Sequence, residues 1–237
     1  MDRITRKEMK HDEFVDGTMR LLRVIEENPR PLLWSAAAIL LVVVAVSGVW
    51  TFLSSRRDAA ADLLSRGEAA YFAAVVEDGS ARPDDPYNPS FPGEEARTEA
   101  ALSRLEEAAA GFGPGAKLAE YLEGAVLLEA GKPDQAAEKL QQALDALGSD
   151  PTLGGPVKAL LASALNQTGQ RERALELWAE LADEGSGYPR DLALFALGRS
   201  QQKAGQTDKA RETLQEIVDL YPESPMVSRA KEILDII

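Results

Sequence analysis

Between Pro31 and Ser55 the sequence PLLWSAAAILLVVVAVSGVWTFLSS runs for 25 residues without a charged side chain. A helix rises about 1.5 Å per residue and needs roughly 20 residues to cross bilayer hydrocarbon, so residues 31–55 are expected to form a transmembrane helix. Trp34 and Trp50 lie near its ends, 16 residues apart. That is about 24 Å along a helix, which suits indoles placed in the two headgroup layers. A buried core helix is rarely so long and uniformly apolar. A cleaved signal peptide has a shorter leader and small residues at its cleavage site, whereas here 30 residues precede the stretch and Trp50, Thr51, Phe52 and Leu53 follow.

On either side of this stretch the apolar positions take a helical period. Phe14, Leu21 and Ile25, with Val15, Met19 and Leu22, predict an amphipathic helix over residues 5–27 that Asn28–Pro29–Arg30–Pro31 would end. Its apolar stripe suits a membrane surface, a partner or a frayed tail. Beyond the span, Leu64, Tyr71 and Val75 share a face, so helix is expected from Arg56 to about Glu77, running on from the membrane segment. Four prolines and two glycines then make residues 78–93 a loop.

From residue 117 onward one pattern recurs. Gly131-x4-Ala136-x3-Leu140-x2-Ala143 returns as Gly169-x4-Ala174-x3-Trp178-x2-Leu181 and as Gly205-x4-Ala210-x3-Leu214-x2-Ile217. Seven residues ahead of each glycine stands a small residue, Gly124, Ala162 or Gly198, and three further on Leu127, Leu165 or Gln201. Small residues at Gly124/Ala136, Ala162/Ala174 and Gly198/Ala210 let antiparallel helices approach closely, bulky neighbours fill the groove to the next unit, and each glycine supplies a left-handed helix C-terminus. The glycines are 38 and 36 residues apart, with the excess over a 34-residue unit placed in loops 148–155 and 184–189. This register resembles the tetratricopeptide repeat over residues 117–224. Tyr221–Pro222 ends the third unit as the family pattern expects, and residues 225–237 form a capping helix in which Met226, Ala230 and Ile233 cover the end of the stack. Residues 56–116 are read as a helical linker and a degenerate first helix pair that lacks the motif. The fold class expected is all-α: one N-terminal transmembrane helix followed by a tetratricopeptide-type solenoid.

Charge narrows the partners. The first 30 residues hold seven basic and seven acidic groups, so residues 55–237, with 19 basic and 32 acidic, carry the whole net charge of −13. Such a domain is repelled by nucleic-acid phosphates and anionic headgroups, and solubility alone is enough to explain the excess. Seven basic residues precede the span against Arg56, Arg57 and Arg66 soon after it, which places residues 1–30 in the cytoplasm and the main domain outside. The chain has no cysteine, which removes disulfides and thiolate sites and fits an oxidising compartment.

Catalytic chemistry finds no footing. The single histidine, His11, lies ahead of the span. Gly111–Phe–Gly–Pro–Gly–Ala–Lys117 fails as a phosphate-binding loop, because Ala116 stands where glycine is required, Leu118 follows the lysine, and no strand precedes it. Acidic pairs such as Asp84–Asp85, Glu94–Glu95 and Glu106–Glu107 read as solvated surface. No catalytic, cofactor-binding or metal-binding residue is assigned, and an enzyme is not expected.

Stacked helix pairs offer a concave face built from the first helix of each pair. Alignment on the turn glycines puts Tyr121, Ala125 and Leu128, then Ala159, Ser163 and Asn166, then Phe195, Arg199 and Gln202 on that face as contact candidates. Tyr121 and Phe195 either anchor apolar ligand side chains or pack within the superhelix, while Asn166, Arg199 and Gln202 supply polar contacts. Family members that clamp a peptide's terminal carboxylate carry lysine and asparagine where this chain has Tyr121/Ala125 and Ala159/Ser163, a departure that argues against that ligand. As a whole the layout resembles the membrane-anchored tetratricopeptide proteins of the bacterial envelope, above all the family of the ancillary subunit of the Sec translocon. That resemblance implies an inner-membrane location, a periplasmic repeat domain, and translocon subunits and exported chains as protein partners. A structural scaffold of a cell-envelope machine is the alternative.

Overall fold

The computed structural model describes residues 29–76, 80–183 and 186–237. The amphipathic helix expected over 5–27 and His11 lie outside these residues. Helix α1 (Pro29–Tyr71) opens the described chain, followed by strands β1 (Ala74–Val75) and β2 (Ser90–Phe91). Eight helices follow: α2 (Glu94–Ala109), α3 (Pro114–Glu129), α4 (Pro133–Leu147), α5 (Gly154–Gln167), α6 (Arg171–Ala182), α7 (Arg190–Lys203), α8 (Thr207–Leu220) and α9 (Met226–Leu234). The chain divides into two units after Ser54.

In the first unit the described residues are those of the apolar half of α1. From Trp34 on it carries a mean hydropathy of 2.5 in its most apolar window, and none of that window is buried. Trp34 is 77% and Trp50 70% exposed, an arrangement that costs heavily in water and nothing in lipid. This helix is long and apolar enough to cross a membrane.

The second unit is a succession of antiparallel helix pairs, each packed on the next. Turn geometry explains the short connections. Gly131, Gly169 and Gly205 have φ of 69°, 82° and 76°, the left-handed region that a side chain disfavours. Behind each, the following amide closes the same long-range bond: Lys132 N–H to the Leu127 carbonyl, Gln170 N–H to that of Leu165, and Gln206 N–H to that of Gln201, all at 2.9 Å. The acceptors are the residues three beyond Gly124, Ala162 and Gly198, so the sequence pattern encodes a Schellman turn at each pair.

Close approach accounts for the small residues. A Cβ on Gly124 would lie 2.5 Å from Leu140 Cγ, and one on Gly198 would lie 2.7 Å from Leu214 Cγ. The residue pressed against each glycine is therefore the bulky leucine four positions beyond Ala136 or Ala210; the alanines, both fully buried, complete the seam. One cluster joins Leu127 and Leu140 to Leu161 and Leu165, and the next joins Ala162 and Trp178 to Leu194, Leu214 and Ile217. Each hairpin thus buries its apolar face against its neighbour, as a solenoid requires. In α9, Ala230 is fully buried in the last cluster, with Met226 and Ile233 partly buried beside it.

Two features depart from the sequence reading. The helix expected to reach Glu77 stops at Tyr71, because residues 74–75 pair in parallel with 90–91 and Val76 N–H bonds the Phe91 carbonyl at 2.8 Å. Phe91, 2% exposed, fixes the turn by inserting among Ala70, Ala73 and Ala101. The first pair also keeps half of the motif it was expected to lack. Gly67 in α1 faces Leu105 in α2, where an added Cβ would meet Leu105 Cδ2 at 2.7 Å. Ala101, Leu105 and Ala108, all fully buried, repeat the spacing of Ala136, Leu140 and Ala143.

The segment between these two helices folds back onto them. Tyr87 Oη donates to Asp62 Oδ1 at 2.8 Å, and Arg104 donates to the carbonyls of Arg66 and Pro83. The backbone amide of Asn88, and after it that of Tyr87, donates to Asp85, which holds its carboxyl below the usual range.

Candidate functional site

Helices α3, α5 and α7 are the first members of the three regular pairs, and the last two form the walls of a cleft. Between α5 and α7 lies a cleft of about 260 Å³. Ser163, Asn166 and Gln167 form its α5 wall, Ala196, Arg199, Ser200 and Lys203 form its α7 wall, and Trp178 of α6 completes the lining. Both helices end in the same glycine turn, at Gly169 and Gly205.

Hydrogen bonds tie the walls together. Asn166 Nδ2 donates to Ser200 Oγ at 2.8 Å, bridging the second and third units, while Ser163 Oγ donates to the Ala159 carbonyl one turn back at 2.9 Å. Arg199 is exposed, with its guanidinium 5.7 Å from the centre of the Phe195 ring. Trp178 is only 5% exposed, and its indole N–H has no acceptor among the described residues.

Of the nine contact candidates, three meet at this cleft: Ser163, Asn166 and Arg199. Ala159 and Phe195 sit instead in the core with Trp178 and Leu194, at 6% and 9% exposure, so Phe195 packs within the superhelix. Tyr121 and Leu128 are half-buried against the cluster that joins the first two regular pairs, and Ala125 and Gln202 are half-buried outside the cleft. Burial pushes the Tyr121 phenol up; the Tyr188 phenol is raised first by burial and then by the proximity of Tyr121 and Asp191. The two tyrosines thus lie near one another, half-buried, and neither belongs to the cleft lining.

Sequence reasoning missed Trp178, Gln167, Ala196, Ser200 and Lys203 as cleft residues. It chose a single stripe per helix, ten, six and three residues before the glycine. The α7 wall is rotated from that stripe to nine, six, five and two residues before it. Lys203 carried the available signal, a cation on the same face as Arg199 one turn on.

A second, wider concavity of about 900 Å³ lies between α2 and α3 and includes Tyr71, Glu95, Arg97, Glu106 and Glu129. Tyr71 is raised by burial and by its hydrogen bond with Glu129. Among the described residues no group of three or more His, Asp or Glu is placed to hold a metal ion.

A tetratricopeptide repeat model matches residues 192–224. Among solved structures the chain is similar to a protein of Podosopora anserina described as a putative kinesin light chain with nearly identical TPR-like repeats. The two are 19% identical over 60% of this chain and 77% of that one, with a TM-score of 0.52. It is also similar to MamA, at 19% identity over 54% of this chain and 71% of that one, with a TM-score of 0.46. No curated protein matches the chain. The fold is nearly all helical and of tetratricopeptide type, an architecture that typically serves as a non-catalytic scaffold for binding proteins or peptides.

Proposed function

We propose that this chain is a membrane-anchored adaptor whose repeat domain lies in the periplasm and binds exported or envelope proteins, acting as an ancillary, chaperone-like partner of the translocon in a bacterial inner membrane. The observation that carries the reading is the joining of an unburied apolar helix of membrane-spanning length to a stack of helix pairs with a polar-lined groove. A helix exposed in this way needs lipid around it, and a grooved solenoid needs a partner rather than a substrate. The excess of basic residues ahead of the span supports a cytoplasmic N-terminus. Affinity purification of the full chain in mild detergent tests this. Recovery of translocon subunits with exported chains supports the adaptor, and protease resistance of the repeat domain in spheroplasts overturns the periplasmic placement.

One observation favours the alternative, a structural scaffold of an envelope machine. Leu220 and Ile236 are 57% and 80% exposed, apolar side chains that another assembly component can cover. A stoichiometric complex with envelope-machine subunits, lost when Leu220 and Ile236 are replaced by glutamine, would support that scaffold.

A further inference from the structure

The cleft between α5 and α7 differs in charge from the domain around it. Residues 55–237 carry a net −13, yet the cleft lining contains Arg199 and Lys203 and no carboxylate. Three cations that bridge packed helices elsewhere meet carboxylates: Lys139 with Glu123 at 2.9 Å, Lys158 with Glu180 at 2.7 Å, and Arg190 with Glu216 at 2.6 Å. Arg199 and Lys203 make no ion pair among the described residues.

The polar lining has the same bias. Ser200 Oγ accepts from Asn166, which leaves the serine's own hydrogen available to donate. The Asn166 and Gln167 carbonyl oxygens are the counterweight, while the uncommitted hydrogens at the cleft come from two cations, the Ser200 hydroxyl, the Trp178 indole N–H and the side-chain amides. Such a set is complementary to a carboxylate, and charge-assisted bonds of this type are the stronger ones. At physiological salt the acidic residues more than about 8 Å away are screened, which leaves the local pair to decide.

We propose that this cleft receives an aspartate or glutamate side chain from within a partner's polypeptide segment, held by Arg199 and Lys203 with the Ser200 hydroxyl. The positions at which related repeats clamp a chain-end carboxylate hold Tyr121/Ala125 and Ala159/Ser163 here, so the acidic group comes from a side chain within the segment and not from its end. The inference rests on the reading of the groove as the partner site and adds the chemistry of what enters it.

The test is a selection from a random peptide library, displayed with protein on both sides so that no chain end is free, on the full chain in nanodiscs. Wild type is expected to enrich peptides with Asp or Glu at one fixed position. Arg199→Gln with Lys203→Gln, in a protein of unchanged circular dichroism, is expected to weaken the best peptides about tenfold and erase the acidic preference. Arg199→Glu with Lys203→Glu should select Lys or Arg at that position. Enriched peptides with no acidic position, or a profile unmoved by charge reversal, overturn the carboxylate assignment while leaving the groove as a binding site. Enrichment seen only in a parallel library with free C-termini also overturns it, in favour of a chain-end carboxylate. Failure of both libraries to yield any peptide overturns the groove reading itself.

Discussion

Replacing Gly67 and Leu105 singly and together tests whether α1 and α2 pack by the same rule as the regular pairs. Leu105 is fully buried, so Leu105→Ala removes its transfer energy and leaves a cavity, a loss of about 2–5 kcal/mol. Gly67→Ala places a Cβ 2.7 Å from Leu105 Cδ2 and 2.8 Å from Cγ, contacts that force repacking at about 1–3 kcal/mol. Loss of a helix-interior glycine offsets roughly 1 kcal/mol of that. In the Leu105→Ala background both offending atoms are gone, and the nearest remaining contact is the backbone nitrogen of residue 105 at 3.4 Å. Gly67→Ala should then stabilise by up to about 1 kcal/mol, because only the propensity term survives. The two substitutions are therefore coupled by about 1–3 kcal/mol, with a sign reversal of the glycine effect. Repeat stacks open locally, so the measurement is hydrogen exchange on the full chain in detergent, reading amides of α2 with those of α8 as an internal control. Effects additive to within about 0.5 kcal/mol would refute the close-packed pair.

Gly205→Ala forces a side chain into φ 76° and should cost about 1–2 kcal/mol by urea unfolding, with Gly205→Asn milder; equal stability of both with wild type would contradict the turn assignment. Phe195→Ala empties a core position and should lower stability by about 3–5 kcal/mol in the same assay, whereas a groove anchor would lose binding and keep stability. Tyr121 and Tyr188 have folded pKa values raised above the ordinary 10.0. The folded state holds more protons between the unfolded and folded values, so their contribution is complete below about pH 10 and falls as pH rises through that window. Ultraviolet titration should show these two phenols ionising late, and simultaneous ionisation of every tyrosine would contradict their burial.

Regular pairs were legible because the buried alanine always stands twelve positions after the small residue, Ala136 after Gly124, Ala174 after Ala162 and Ala210 after Gly198. A constant connection keeps both halves of the motif in phase. In the first pair the equivalent residues, Gly67 and Ala101, are 34 apart, and the proline-rich segment between them hides the relation. Only the contact of Gly67 with Leu105 reveals it. The β1–β2 pairing had no periodic signal at all: two residues on each side, held by the burial of Phe91. At the cleft, Ser163, Asn166 and Arg199 were within reach of a register argument, because they lie on the faces that the turn glycines orient. Ser200 was not, since a fixed stripe ignores that the α7 wall is offset from it, and Lys203 was legible only through its spacing of four from Arg199.

Trp178 connects the core to the cleft. At its register the other pairs carry Leu105, Leu140 and Leu214, and at those three the facing small residue is glycine, with branched leucine carbons lying within 2.8 Å of where a Cβ would be. Trp178 shares its cluster with Ala162, the one pair in which the small residue keeps its methyl group. A flat indole lies beside a methyl group where a branched Cγ does not, so the exchange of leucine for tryptophan and of glycine for alanine is one coupled choice. Its consequence is a ring broad enough to reach the lining between α5 and α7, where Trp178 meets the same space as Arg199 and Lys203. The pair that departs from the leucine–glycine seam thus lends its tryptophan to the cleft it shares with the next pair, whose α7 carries Arg199 and Lys203.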